Sequence, residues 1–168
     1  MDGEIHKLLM KKAGAILARR AHSRAELQAK LADMADEVEV EAVLERLERL
    51  NLLNDFEYAY NFALRRMRRL GWSRTRVENA LLGHQVSSAV IERALEKMNE
   101  SGGEQSVLNS YLLKRYGKSG LPADVKGVRK LILHLRQRGF AEENILGALR
   151  GKIPDATLQR FETGEYFD

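Results

Sequence analysis

The chain has 168 residues, 44% of them hydrophobic and 31% charged, which suits a folded chain with a sizeable core and excludes wholesale disorder. It contains no cysteine, which excludes disulfides and thiolate metal sites and gives no reason to invoke an oxidising compartment. The net charge of +4 permits contact with nucleic acid or an acidic protein surface without demanding either.

The first twelve residues carry Asp2, Glu4, Lys7, Lys11 and Lys12 and lack the apolar centre of a signal peptide. No stretch reaches the apolar length of a membrane span, so the expected location is the cytoplasm. With only two prolines, Pro122 and Pro154, long helices are favoured. Apolar spacing predicts a long helix over residues 4–20. Ser23 and Glu26 then form a capping box for a short helix over 24–34, followed by a helix over 38–50. Asn54 or Asp55 can cap a second long helix over 55–70. Ser73 can cap a helix over 74–83, but Arg76 stands where the reciprocal acid belongs. A helix over 88–98 follows. The stretch Asn99 to Gly103 is the expected hinge. A helix over 104–116 leads into an irregular loop from Gly117 to Ala123. Asp124 starts a helix over 124–138, and a last helix covers 142–149. Gly71, Gly117 and Gly139 are expected as left-handed helix ends.

These elements repeat. Ala13, Leu17, Ser23, Leu27 and Leu31 match Ala63, Met67, Ser73, Val77 and Leu81 at a spacing of fifty residues. Beyond a turn, Val38, Val43 and Leu47 match Val86, Ile91 and Leu95. A weaker third copy places Leu131, Leu135, Phe140, Ile145 and Leu149 against Val77, Leu81, Val86, Ile91 and Leu95. The fold expected is all-α: three tandem three-helix units over residues 1–52, 53–100 and 104–152, with a C-terminal tail over 153–168. Stacking such units buries the faces that each leaves open and gives an elongated, curved helical-repeat protein.

Charge is uneven along the chain. Between Asp33 and Glu57 acids dominate, and then Arg65, Arg66, Arg68, Arg69, Arg74 and Arg76 fall within a dozen residues. One reading is a solvated helix end, where cations favour the C-terminal dipole. That reading fits any single arginine but not the whole set, whose members repel one another. Guanidinium groups suit paired recognition of carboxylates or phosphates, so the set reads as a binding surface. Trp72 beside it is either a plug between two helices or an anchor flanked by arginines, and Tyr116 beside Arg115 poses the same choice. The third unit adds Lys126, Lys130 and Arg138.

No catalytic pattern emerges. His6, His22, His84 and His134 are scattered without ligand spacing and read as surface or helix-end residues. No phosphate-binding glycine loop is present. Ser23, Ser73 and Ser87 sit where helix caps are needed, and the acidic run from Glu37 to Glu48 reads as a solvated face rather than a metal cluster. Neither a cofactor nor a metal is expected, nothing points to an enzyme, and nothing calls for an obligate dimer.

The residues that carry the repeat also resemble the RecX family of RecA regulators. Residues Leu17 to Leu31, with Arg20, His22, Ser23, Glu26 and Leu27, are similar to that family's opening motif. Leu50 to Asp55 resembles its "LGLLDD" joint, Gly71-Trp72-Ser73-Arg74-Thr75-Arg76-Val77 its "GYGPxRI", and Arg115-Tyr116-Gly117 with Lys126, Lys130 and Arg138-Gly139-Phe140 its "RYG…K…RGF". The resemblance spans residues 15–149. Departures are Asn54 for the first Asp of "DD", Ser73 for the second glycine of "GYG", Ala80 for a Glu, and Gln85 for a glycine. The resemblance implies three three-helix units lying in the groove of a RecA–DNA filament, and inhibition or tuning of RecA's recombinase, ATPase and coprotease activities. The contacts expected are Arg65, Arg68, Arg69, Trp72, Arg74 and Arg76, with Lys126, Lys130 and Arg138, pairing with RecA acids or with single- or double-stranded DNA. Two other readings of the same residues are a stand-alone DNA-binding protein and a helical scaffold for another repair protein.

Overall fold

The computed structural model describes residues 2–100 and 102–163. Among them the chain is all-α, with helices α1 (Asp2–Arg19), α2 (Arg24–Leu31), α3 (Glu37–Arg49), α4 (Asp55–Leu70), α5 (Arg74–Gly83), α6 (Ser88–Glu100), α7 (Gly103–Tyr116), α8 (Val125–Gln137), α9 (Glu142–Leu149) and α10 (Asp155–Glu162). The first nine coincide with the expected elements to within three residues at each end. Helix α10 lies in the stretch expected as a tail. Pro154 sits at its N-cap, Asp155 in its first turn, and Leu158 and Phe161 are buried one turn apart, the i, i+3 signal of a short amphipathic helix. The expected hinge lies where α6 ends and α7 begins, and its Ser101 falls outside the described residues.

Two compact units are present: Met1–Phe62 with Asn79–Ala94, and Ala63–Glu78 with Leu95–Asp168. The division falls inside α4, α5 and α6. In the first unit, Leu9, Ala13, Leu27, Leu31, Val40, Val43, Leu44, Leu47 and Leu53 form one core, flanked by Met10, Ile16, Leu17 and Ala35. In the second unit, α7 and α9 pack together and α8 and α10 pack on α9, burying Leu108, Leu135, Ile145 and Leu149 completely or nearly so. Each such leucine contributes about 1.5–3 kcal/mol by leaving water.

The matched positions are buried in all three copies except Leu17, which is partly buried against the first core, and Val38. Val38 is 78% exposed. It sits in the first turn of α3, behind the N-cap Asp36, whose side chain accepts from the Glu39 N–H at 2.9 Å. The residue preceding each cap is Ala35 before Asp36, Val86 before Ser87 and Phe140 before Ala141, so Ala35 is the true counterpart. Counted from the caps, the third helices align as Val40 with Ile91 and Ile145, Val43 with Ala94 and Ala148, and Leu44 with Leu95 and Leu149. All nine are buried. The register expected from sequence was three residues out in α3. A slip of three or four along an i, i+3, i+4 apolar stripe still pairs apolar with apolar.

Three helices end alike. The Leu52, Val86 and Phe140 N–H groups reach back to the Leu47, Leu81 and Leu135 carbonyls at 2.9, 3.2 and 3.2 Å. The Asn51, Gln85 and Gly139 N–H groups reach the Glu48, Leu82 and Arg136 carbonyls at 2.9, 2.9 and 2.8 Å. This is the Schellman arrangement, and its turning residue must be left-handed. The φ angles there are +54°, +57° and +87°. Asparagine and glycine tolerate that region, whereas glutamine is strained there. Gln85→Gly is therefore expected to stabilise the protein by roughly 0.5–1 kcal/mol, read as an upward shift of the urea midpoint. Gly117, expected to be left-handed, has φ −57° instead. The chain turns three residues later, where Gly120 at φ +75° donates its N–H to the Tyr116 carbonyl at 2.7 Å.

Candidate interaction site: a repeated joint and a basic cleft

The short second helices of the first two copies, α2 and α5, begin on the same device. Ser23 accepts from the Glu26 N–H at 3.1 Å, and Glu26 accepts from the Ser23 N–H at 3.2 Å, the capping box expected from sequence. The next N–H, that of Arg24, is taken by Asp55 Oδ1 at 2.7 Å. In the second copy Ser73 accepts from the Arg76 N–H at 3.2 Å, and the Arg74 N–H is taken by Glu104 Oε1 at 2.7 Å. An acid from the first turn of the following long helix thus caps the short helix before it. Asn54 is freed to cap α4 itself, accepting from the Glu57 N–H at 3.1 Å. Sequence reasoning had Asn54 and Asp55 competing for that one role. Ser87 caps α6 through the Val90 N–H at 3.4 Å, as expected.

The two joints then diverge. In the first, buried Ser23 donates to the His84 carbonyl at 2.8 Å, and the His84 ring meets Glu26 at 3.0 Å. Arg20 also reaches Glu26, at 3.2 Å. Burial pushes the Glu26 carboxyl up, but Arg20, the Ser23 N–H and His84 outweigh it and hold the group below its ordinary value. In the second joint Arg76 and Arg138 occupy the positions of Glu26 and His84. Arg138 donates to the Leu70 and Gly71 carbonyls at 2.8 and 3.2 Å and lies 4.7 Å from the Tyr111 ring centroid. It closes the C-terminal end of α4. Gly71 and Gly139 permit the close approach: a Cβ on Gly71 would meet Tyr111 Cδ2 at 2.9 Å, and one on Gly139 would meet Ser73 Oγ at 2.7 Å.

His22 lies between α1 and α2, as a helix-end residue should, but it is 5% exposed rather than on the surface. Its Nδ1 is 2.9 Å from the Arg20 carbonyl, which requires a proton on that nitrogen. Burial holds its pKa down, and burial followed by Arg115 and Arg138 holds down that of His134. Groups with lowered folded values take up protons more readily unfolded, so the stability they confer is complete above the usual histidine value, about 6.5, and is lost as pH falls through the folded values. The melting temperature is therefore expected to fall as pH is lowered from 7 to 5. His22→Asn is expected to flatten that fall in a calorimetric pH series.

The acidic face is not wholly solvated. Arg24 pairs with Glu41 and, at 3.0 Å, with Glu48. The arginine set differs. No ion pair among the described residues engages Arg65, Arg68, Arg69, Arg74, Arg76, Lys126 or Lys130. Arg65, Arg68, Arg69, Arg76, Lys126 and Lys130 are exposed, and Arg74 is half-buried. Trp72 is half-buried too, with the guanidinium groups of Arg66 and Arg76 at 4.8 and 4.2 Å from its ring centroid.

Arg68 and Arg69 meet two cations that sequence reasoning left out of the site. A cleft of about 310 Å³ between α4 and α7 is lined by Arg68, Arg69, Leu70, Gly71, Val107, Tyr111, Lys114 and Arg115. A second depression of about 350 Å³ shares Arg68, Val107 and Lys114 and adds Ser106 and Ser110. Lys126 and Lys130 line neither; they stand one turn apart on α8. Among the described residues no group of acids, histidines and cysteines could hold a metal, and no helix is long and apolar enough to cross a membrane.

Residues 10–47 match the family model for the first three-helix domain of RecX. The regulatory protein RecX of Leptothrix cholodnii is 33% identical over 80% of this chain and 82% of its own length. The chain belongs to the RecX family. Its likeness to the regulatory protein RecX of Corynebacterium efficiens, 32% identical over 74% of this chain, spans 62% of that longer relative. The crystal structure of RecX from Lactobacillus salivarius superposes with a TM-score of 0.70 over 96% of this chain and 99% of its own at 18% identity, a likeness of fold. The RecX helical-repeat architecture thus agrees with the repeat read from the sequence. Gln85, where the resemblance in sequence implies a glycine, takes a left-handed position.

Proposed function

We propose that this chain binds the RecA–DNA filament and lowers its ATPase, recombinase and coprotease output, as a non-enzymatic regulator in the cytoplasm. Membership of a family of regulatory proteins supports the class of role. The observation that carries the mode is the exposed cation set on α4 and α7: Arg65, Arg68, Arg69, Lys114 and Arg115, free of ion pairs with the chain's own carboxylates. A like-charged set left unpaired costs folding stability and is retained where a partner supplies the counter-charge. Residues 1–52, 53–100 and 104–152 act as three repeat units, and Lys126 and Lys130 extend the basic surface along α8. Arg74, Arg76 and Trp72 border it. Arg138 serves from inside, by fixing the end of α4 from which Arg68 and Arg69 project.

The test is RecA's DNA-dependent ATPase. The expected result is a fall in turnover at ratios of this protein well below one per RecA. Unchanged turnover at every ratio contradicts the reading, and tight, strongly salt-dependent binding to DNA without RecA would favour a stand-alone DNA-binding protein.

A further inference from the structure

We propose that the α4–α7 cleft is the docking site for an extended acidic peptide segment of the partner, one that presents an aliphatic side chain between carboxylates. The inference rests on the filament-binding reading and names what enters the site. The cleft has two chemistries. Its floor is apolar: Leu70, itself 48% exposed, Val107 and the edge of Tyr111. Its rim is cationic, with Arg68, Arg69, Lys114 and Arg115, and no acid lines either depression. A carboxylate beside an aliphatic side chain satisfies both at once, because guanidinium forks grip carboxylates in pairs while the side chain covers Leu70 and Val107. Volumes of about 310 and 350 Å³ are at the small end for ligand clefts. They hold a side chain or two and not a helix. The Ser106 and Ser110 hydroxyls along the second depression offer hydrogen bonds to an extended backbone or a further carboxylate.

A nucleic-acid strand fits less well. Sequence-tolerant binding of single strands relies on bases stacking on open aromatic faces. Here Tyr111 is covered by Arg138 and lies near-parallel to His134, with ring centroids 6.4 Å apart at 23°. Trp72 is covered by Arg66 and Arg76. Phosphates alone would use the rim and leave Leu70, 48% exposed, in water.

The experiment titrates the full-length protein, by calorimetry, with a blocked pentapeptide of two glutamates, a leucine and two aspartates. Replacing that leucine by serine is expected to weaken binding about fivefold, and the double variant Arg69→Glu, Lys114→Glu about twentyfold or more. Both substituted positions are exposed, so the melting curve of the variant should be unchanged. Leu70→Ser, at a floor position 48% exposed, should reproduce the serine-peptide loss. Peptide binding indifferent to the double variant overturns the proposal. So does an oligo(dT) strand that displaces the peptide and loses affinity on the same substitutions. If the wild type fails to bind RecA filaments, the function reading falls while the peptide titration still decides the cleft. If it binds them and the double variant binds equally well, the cleft proposal falls alone.

Discussion

Alanine at Leu31, Leu81 or Leu135 is expected to destabilise the protein by about 2–5 kcal/mol in each case. These three residues are the same position in three copies. Each is fully buried and stands where a short helix ends, with its carbonyl receiving an N–H from the turn that follows: from Met34 at 2.9 Å, Val86 at 3.2 Å and Phe140 at 3.2 Å. Truncation removes apolar contacts on a segment whose backbone is pinned at both ends. The short helix cannot slide to fill the space, since Ser23 or Ser73 fixes its start in two copies and Asp124 does so in the third. A cavity that cannot collapse sits toward the costly end of the range. Val38→Ala, at a position 78% exposed, should change stability by no more than about 0.5 kcal/mol. Urea unfolding followed by circular dichroism reads all four. Comparable losses at Val38 and Leu31 would contradict the register.

Reversing Arg65, Arg68, Arg69 and Lys114 to glutamate is the second large effect. Affinity for the RecA filament is expected to fall about a hundredfold, roughly 2.7 kcal/mol, while the melting temperature stays the same or rises slightly. The physical reason for that split is that these four cations are exposed and unpaired within the chain. Their mutual repulsion opposes folding, and their attraction is available only to something else. Arg138→Ala should behave in the opposite way. It removes two hydrogen bonds to the end of α4 and strips the cover from Tyr111, so stability drops and binding follows only as α4 loosens. Thermal melts beside filament pull-downs separate the two behaviours.

Much of the fold could be read from the sequence because it is written locally. A capping box needs residues three apart, and a Schellman turn needs one left-handed position; Ser23 with Glu26, Gly71 and Gly139 announce themselves. Legibility failed where the information is not local. The stripe Val40, Val43, Leu44, Leu47 reads apolar in several registers, and only the cap at Asp36 fixes the right one. Gly117 does end α7, but the left-handed turn expected there falls three residues later, at Gly120. Helix α10 escaped because it is short and its two buried residues, Leu158 and Phe161, make a thin pattern.

The candidate interaction site was half legible for the same reason. Six arginines in a dozen residues advertise a charged surface, but Lys114 and Arg115 lie far along the chain and join Arg68 and Arg69 only through the packing of α7. Asp55 read as a possible cap of its own helix, and Glu104 only as the first residue of the helix over 104–116. Nothing in their spacing says that they cap the helix before. Arg138 read as one more exposed cation, and its role as a bridge to the Leu70 and Gly71 carbonyls needed the fold.

If the repeated helical scaffold holds its unpaired basic surface toward a RecA filament, the two should sediment together. Co-sedimentation with RecA assembled on single-stranded DNA with a slowly hydrolysed ATP analogue tests it most directly. The wild-type chain should pellet with the filament and the fourfold charge reversal should stay in the supernatant, both folded by circular dichroism. Equal recovery of the two in the pellet, or failure of the wild type to pellet at all, would contradict the account.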